Sequence, residues 1–254
     1  MKKIFLLLFI LPLLISAQYV SADFVVLNDG MDASYNDIEK VWKVFHQQAI
    51  KRGDKIDWSV WKRTAKENDN ENAADYVIFN NFSSKAQYDK TMSNFNYNQA
   101  VTEMKMGLKG KMSSSKINKI LQKDVKKQVR NYRLELVDAT PLVGGDLKVG
   151  DKMDFSTMSQ LNDDYEEYES EVWKPMFVNE IMKGNFRWWA MTKIVDRNED
   201  AYKKPTHLVW NIGVENQKPF EQKQDFISRK MRDSANEYRE MGNPSELTLI
   251  YTSN

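Results

Sequence analysis

The chain has 254 residues, 41% hydrophobic and 29% charged with 12% aromatic, which supplies enough core formers for a folded protein and too many for a disordered one. Its 37 Lys and Arg nearly balance 36 Asp and Glu, so no overall field recruits nucleic acid or an anionic membrane. With no cysteine, disulfides, thiol nucleophiles and Cys-held metal sites are excluded, and the two histidines, His46 and His207, are too few for most catalytic metal centres.

Lys2 and Lys3 precede an unbroken apolar run over residues 4–15, the length of a signal-peptide core and short for a membrane span. Residues 1–22 are therefore read as a signal region cut after Ala17 or Ala22, with Ala17 favoured. Removing Lys2 and Lys3 leaves 35 basic and 36 acidic residues, a mature charge of −1. The expectation is an exported protein, periplasmic or extracellular, without stable membrane association once the signal is gone.

Residues 23–28 form a β-rich run. Ser34 is placed to cap a helix whose apolar face is Ile38, Val41, Trp42, Phe45 and Ala49, at spacings of three and four. Gly53 stops it. Residues 58–64 and 76–82 read as strands joined by the polar stretch 65–75. Helical pieces over 97–106 and 113–130 follow, broken by Gly107 and Gly110, the second with a stripe of Ile117, Ile120, Leu121, Val125 and Val129. Residues 133–137 close the set as a strand, and a glycine-rich linker covers 139–151.

The second half repeats this order at an offset of 131 residues, without a gap from Asp23 to Phe82. Identities include Asp23/Asp154, Phe24/Phe155, Trp42/Trp173, Gly53/Gly184, Trp58/Trp189, Lys62/Lys193 and Asn80/Asn211; two tryptophans with the glycine between them give the match its weight. The predicted elements are a strand at 153–160, a helix at 165–183 with a kink at Pro175, strands at 186–195 and 207–214, a helix at 220–240 and a closing strand at 246–250.

Each half is βαββαβ, the split unit of ferredoxin-like domains. Both helices cover one face of an antiparallel sheet, and a lone unit would leave the other face bare. The prediction is an α+β protein of two tandem ferredoxin-like units, 23–140 and 152–254 with 141–151 between them. Their open faces meet in an intramolecular α/β barrel, so one monomer acts as a pseudo-dimer. On these elements the chain resembles the dimeric α/β-barrel superfamily. The segments 39–61 and 171–189 also resemble those of uncharacterised secreted bacterial proteins. The superfamily resemblance implies a topology and little about activity, because its members include monooxygenases, isomerases and haem enzymes.

Alternation along the third strand of each unit separates an apolar set, Val77, Phe79, Leu208, Trp210 and Ile212, from a mixed set, Tyr76, Ile78, Asn80, His207, Val209 and Asn211. The apolar set suits the face under the helices, which leaves the mixed set to line the barrel interior. Asn80 and Asn211 would then need each other, water or a ligand as partners. Tyr76, Asn80, His207 and Asn211, with Trp58 and Trp189, are thus the candidate ligand-binding residues, although helix-facing packing of the tryptophans is the simpler reading. His207 or His46 could serve as a general base, and the superfamily's haem members imply an imidazole as axial ligand, though no motif here matches theirs. No cofactor, metal site or nucleic-acid partner is expected.

These readings favour a binding protein for a small apolar or aromatic molecule; a cofactor-independent monooxygenase or isomerase, or an interaction protein without a ligand, are the alternatives. Residues 105–130 hold nine bases and one acid, and 162–171 hold six acids. Both are read as solvated helix surface, the acids favoured at a helix N-terminus.

Overall fold

The computed structural model describes residues 19–214 and 225–253; the signal region up to residue 18 and the predicted helix start at 220–224 lie outside them. The first half runs β1 (Tyr19–Leu27), α1 (Asp32–Lys51), β2 (Asp57–Arg63), β3 (Tyr76–Phe82), α2 (Lys85–Ser93), α3 (Tyr97–Gly107), α4 (Ser114–Leu121) and β4 (Lys126–Ala139). The second runs β5 (Lys152–Gln160), α5 (Tyr165–Tyr168), a π-helical stretch (Glu169–Trp173), α6 (Lys174–Met182), β6 (Phe186–Arg197), β7 (His207–Gly213), α7 (Phe226–Tyr238), β8 (Arg239–Met241) and β9 (Ser245–Thr252).

Within the first half the strand order is β4-β1-β3-β2, and within the second β9-β5-β7-β6, the same order twice. The halves join by two antiparallel seams. β4 pairs with β6, and β2 pairs with β9. Eight strands therefore close on themselves, with the short β8 extending the β9 edge along β5. The sheets' open faces look at each other across the interior while their edges are hydrogen-bonded, and among the described residues closure leaves a free edge only at the β8 step.

Gly53 and Gly184 hold repeat-equivalent positions just past α1 and α6, with φ of 78° and 77°. That left-handed geometry is the one glycine adopts without strain at a helix end. Pro175 sits in the first turn of α6, directly after the π-helical stretch; the backbone stays helical from Tyr165 to Met182, and the proline falls where the hydrogen-bond ladder changes from π to α register.

Three expectations are corrected. β1 begins at Tyr19, four residues before the predicted start, and the α1 helix begins at Asp32 without a side-chain cap. The helix expected over 113–130 ends at Leu121, and Val125 and Val129 belong to the approach and body of β4. Pairing decides this: Val129 lies opposite Val25 and the whole of β1 needs β4 as neighbour, which overrides a helical stripe that two β-branched residues fit poorly. The unpredicted α2 carries its own signal, Ser84 accepting from the Gln87 amide.

Two cores lie under helices and one lies inside the barrel. Ile38, Val41, Trp58, Tyr76 and Ile78 pack between α1 and the first sheet. Tyr165, Trp189, Met191 and Val209 do so in the second half. The largest core draws on both halves, with Ala22, Phe24, Val77, Phe79, Leu134, Phe155, Leu208, Trp210 and Ile212.

Candidate ligand site

The barrel interior is lined by the apolar set of the third strands, and the mixed set faces the helices, the reverse of the expectation. Tyr76, Asn80 and Trp58 lie beneath the helices of the first half, and His207, Asn211 and Trp189 beneath those of the second. The physical reason is that the helices bring polar partners with them. Tyr76 donates to Asp32 at 2.6 Å and accepts from Asn36 at 2.9 Å, while Lys62 reaches the same Asp32 oxygen at 2.7 Å. Burial and then the Asp32 carboxylate push the Tyr76 hydroxyl up, and against its own partial desolvation the Asp32 carboxyl is held low by Lys62 and Tyr76.

The second half rebuilds this arrangement with His207 and Lys193 at the positions of Tyr76 and Lys62, but its carboxylate is Glu166, the equivalent of Tyr35, and not Asp163, the equivalent of Asp32. His207 Nε2 lies 3.2 Å from Glu166 Oε1, and Lys193, the equivalent of Lys62, reaches that oxygen at 2.7 Å. His207 Nδ1 contacts the Thr206 hydroxyl at 2.9 Å, and the ring is fully buried. Desolvation lowers the His207 pKa against the pull of Glu166.

Asn80 and Asn211 are not partners of each other. Asn80 Oδ1 accepts from Lys55 Nζ at 2.5 Å, and that ammonium also lies 3.1 Å from His46 Nδ1. Burial brings Lys55 down to about 8, and burial together with Lys55 holds His46 well below its usual value. His46 stacks on Trp58 at 4.6 Å with planes 17° apart, and Trp189 stacks on Phe177 at 6.1 Å and 22°. Asn211 Oδ1 is buried without a partner among the described residues.

The interior holds two chambers separated by a chain of touching rings. Tyr132 meets Phe24, Phe24 meets Phe155, Phe155 meets Trp210 and Trp210 meets Phe79, with centroids 5.1–5.4 Å apart. The larger chamber, about 550 Å³, opens at the end where β2, β5 and β6 begin. Trp61, Phe79, Leu134, Trp188, Trp210 and Ile212 form its walls, with Asp57, Ser59, Asn81 and Thr192 as polar points. The indole N–H of Trp61 donates to Ser59 at 2.9 Å and that of Trp210 to Thr192 at 2.9 Å, so both rings are fixed with no donor left over. The sequence names Phe79, Trp210 and Ile212 but puts them under the helices, because alternation separates two faces without saying which one is covered; Trp61, Leu134 and Trp188 carry no signal of their own.

The predicted linker is a strap across this mouth, where Thr140, Pro141, Leu142, Gly145, Asp146 and Leu147 complete the chamber. Arg187 ties it down, donating to the carbonyls of Val143 at 3.1 Å and Gly145 at 2.8 Å and to Asp151 at 2.8 Å. Gly144, at φ 78°, leaves space for that guanidinium; a Cβ there would lie 3.2 Å from Arg187 Nε.

No family model matches the sequence, and no curated protein matches it. Solved structures do. A proposed monooxygenase from Lactobacillus acidophilus NCFM is similar at 7% identity over 92% of this chain and 94% of its own, with a TM-score of 0.54. A proposed monooxygenase from Fusobacterium nucleatum gives 8% identity, 93% of each chain and a TM-score of 0.54. An anthrone oxidase-like protein gives 11% identity, 94% of each chain and 0.51. The fold is the dimeric α/β barrel.

In this α/β barrel both half-barrels come from one chain. Neither histidine lines either chamber. His207 has both ring nitrogens engaged and His46 lies stacked on Trp58 with Nδ1 at Lys55, so the residues present do not fit haem in the barrel. Among the described residues no group of three or more Asp, Glu or His is arranged to hold a metal ion, and no helix is long and apolar enough to cross a membrane.

Proposed function

We propose that the protein binds a small, uncharged aromatic or apolar molecule in the larger chamber. The observation that carries this reading is a 550 Å³ cavity walled by tryptophan, phenylalanine and aliphatic side chains, with a few polar points and a strap over its mouth. That volume falls within the roughly 300–1,000 Å³ typical of small-molecule sites. The monooxygenase and anthrone oxidase-like descriptions attached to proteins of the same fold are compatible with an aromatic occupant. Catalysis through His46 or His207 is not part of the proposal, because a general base must reach its substrate and both lie outside the chamber.

The test is a fluorescence titration with the neutral probe N-phenyl-1-naphthylamine. Saturable one-to-one binding is expected, weakened when Ile212→Trp fills the chamber. Absence of saturable binding, or binding that Ile212→Trp leaves unchanged, would overturn the reading.

We further propose export as a monomer after cleavage following Ala17. A cut after Ala22 would remove residues 19–22, which pair with Phe82 to Phe79 on one side and Glu135 to Tyr132 on the other. N-terminal sequencing of the protein from a periplasmic or culture fraction checks the cut, and light scattering checks the mass.

A further inference from the structure

The smaller chamber, about 200 Å³, lies beyond the ring partition at the opposite end of the barrel and contains Arg130. This residue belongs to the basic stretch read from the sequence as solvated surface, yet it is only 3% exposed. β4 turns Arg130, Tyr132 and Leu134 to the same face, toward the interior. Of its guanidinium, Nη1 donates to the Asn72 carbonyl at 2.7 Å and to Gln128 Oε1 at 3.0 Å, and the group lies 4.6 Å from the Tyr202 ring. Among the described residues it has no carboxylate partner. The other arginine of the chamber, Arg63, is neutralised by two bonds to Asp69, at 3.1 and 2.6 Å.

A buried cation without a counter-ion is costly, and a guanidinium is never relieved of its charge by losing a proton. We propose that this chamber binds a small organic carboxylate, whose two oxygens take the free edge of Arg130 and whose apolar body rests on Phe24, Phe155 and Leu208. The planar fork of arginine matches a carboxylate. The volume is below the roughly 300 Å³ floor of drug-sized sites, which limits the occupant to a compact acid. Apolar walls and a single uncompensated charge favour a monoanion over a phosphate dianion. This proposal stands apart from the one for the larger chamber, and either can fail without the other.

Benzoate is a suitable probe, with benzamide as its uncharged counterpart and inorganic phosphate as the competing anion, each followed by titration calorimetry on the full mature chain. Benzoate is expected to bind saturably and without displacing N-phenyl-1-naphthylamine, with benzamide weaker by about tenfold or more, the scale of a charge-assisted hydrogen-bond pair. Arg130→Met should weaken benzoate by a similar factor. Ser245→Phe, which fills the chamber from β9 and leaves Arg130 in place, should abolish binding even if Arg130→Met does not fold. Lack of saturable benzoate binding, equal affinity for benzamide, tighter binding of phosphate, or unchanged affinity in folded Ser245→Phe would each overturn the proposal.

Discussion

Phe79 and Trp210 hold the same position in the two halves and touch edge to face, centroids 5.1 Å apart and planes at 82°. Such a contact between repeat equivalents requires the pseudo-two-fold axis to pass between them, along the barrel. Phe24 and Phe155, also equivalent, meet at 5.4 Å, and together the two pairs build the partition. Trp210→Ala should therefore cost about 3–5 kcal/mol, as large-to-small core changes do, and join the two chambers. Denaturant unfolding measures the first effect. Xenon or probe stoichiometry in the folded variant measures the second.

Burial without a full counter-charge raises the Glu39 carboxyl to about 7 from 4.5, with Lys126 and Tyr35 opposing the shift. A raised folded-state pKa means the native protein holds this proton more tightly than the unfolded chain. The resulting stabilisation is present below pH 4.5 and is lost as pH rises to about 7. Glu39→Gln should thus gain stability relative to wild type by up to about 3 kcal/mol between pH 4.5 and 7.5. Melting curves of both proteins across that interval give the difference directly; a gap that does not widen with pH would refute the assignment.

His207 is buried and bonded to Glu166 and Thr206 outside either chamber. His207→Phe should lower stability by about 1–3 kcal/mol through the partners left unsatisfied, while N-phenyl-1-naphthylamine affinity stays unchanged. Loss of affinity in a folded variant would return the ligand site to the helix face.

Arg187→Ala removes the side-chain ties to residues 143–146 and Asp151 and leaves the backbone bond from Val143 to the Arg187 carbonyl. Amide hydrogen exchange over 140–147 should accelerate, and the probe should dissociate faster, because local opening of a segment follows the bonds that hold it closed. An unchanged dissociation rate would mean that the strap does not gate the mouth.

The duplication and the βαββαβ order were legible because Trp42/Trp173, Gly53/Gly184 and Trp58/Trp189 are rare residues at one fixed offset, and the glycines end a helix while Trp58 and Trp189 are buried beneath one in both halves. The orientation of the third strands was not. Alternation shows that Val77 and Phe79 share a face opposite Tyr76 and Asn80, but which face is helix-covered depends on partners distant in sequence, such as Asp32, Lys55 and Glu166. Dry barrel walls and a polar helix interface invert the usual expectation that polar strand residues surround a ligand. Arg130 was hidden for a related reason, since Val125 and Val129 completed a helical stripe that strand pairing overrode.

The direction of the symmetry axis has one more consequence. In an assembly of two identical subunits, any residue facing that axis would be present in duplicate, and two guanidiniums would repel each other inside 200 Å³. Covalent fusion lifts this constraint: β4 places Arg130 opposite Phe24, while at the equivalent position its counterpart β9 places Ser245 opposite Phe155. A single chain can thus give an asymmetric interior to a scaffold whose outline remains two-fold.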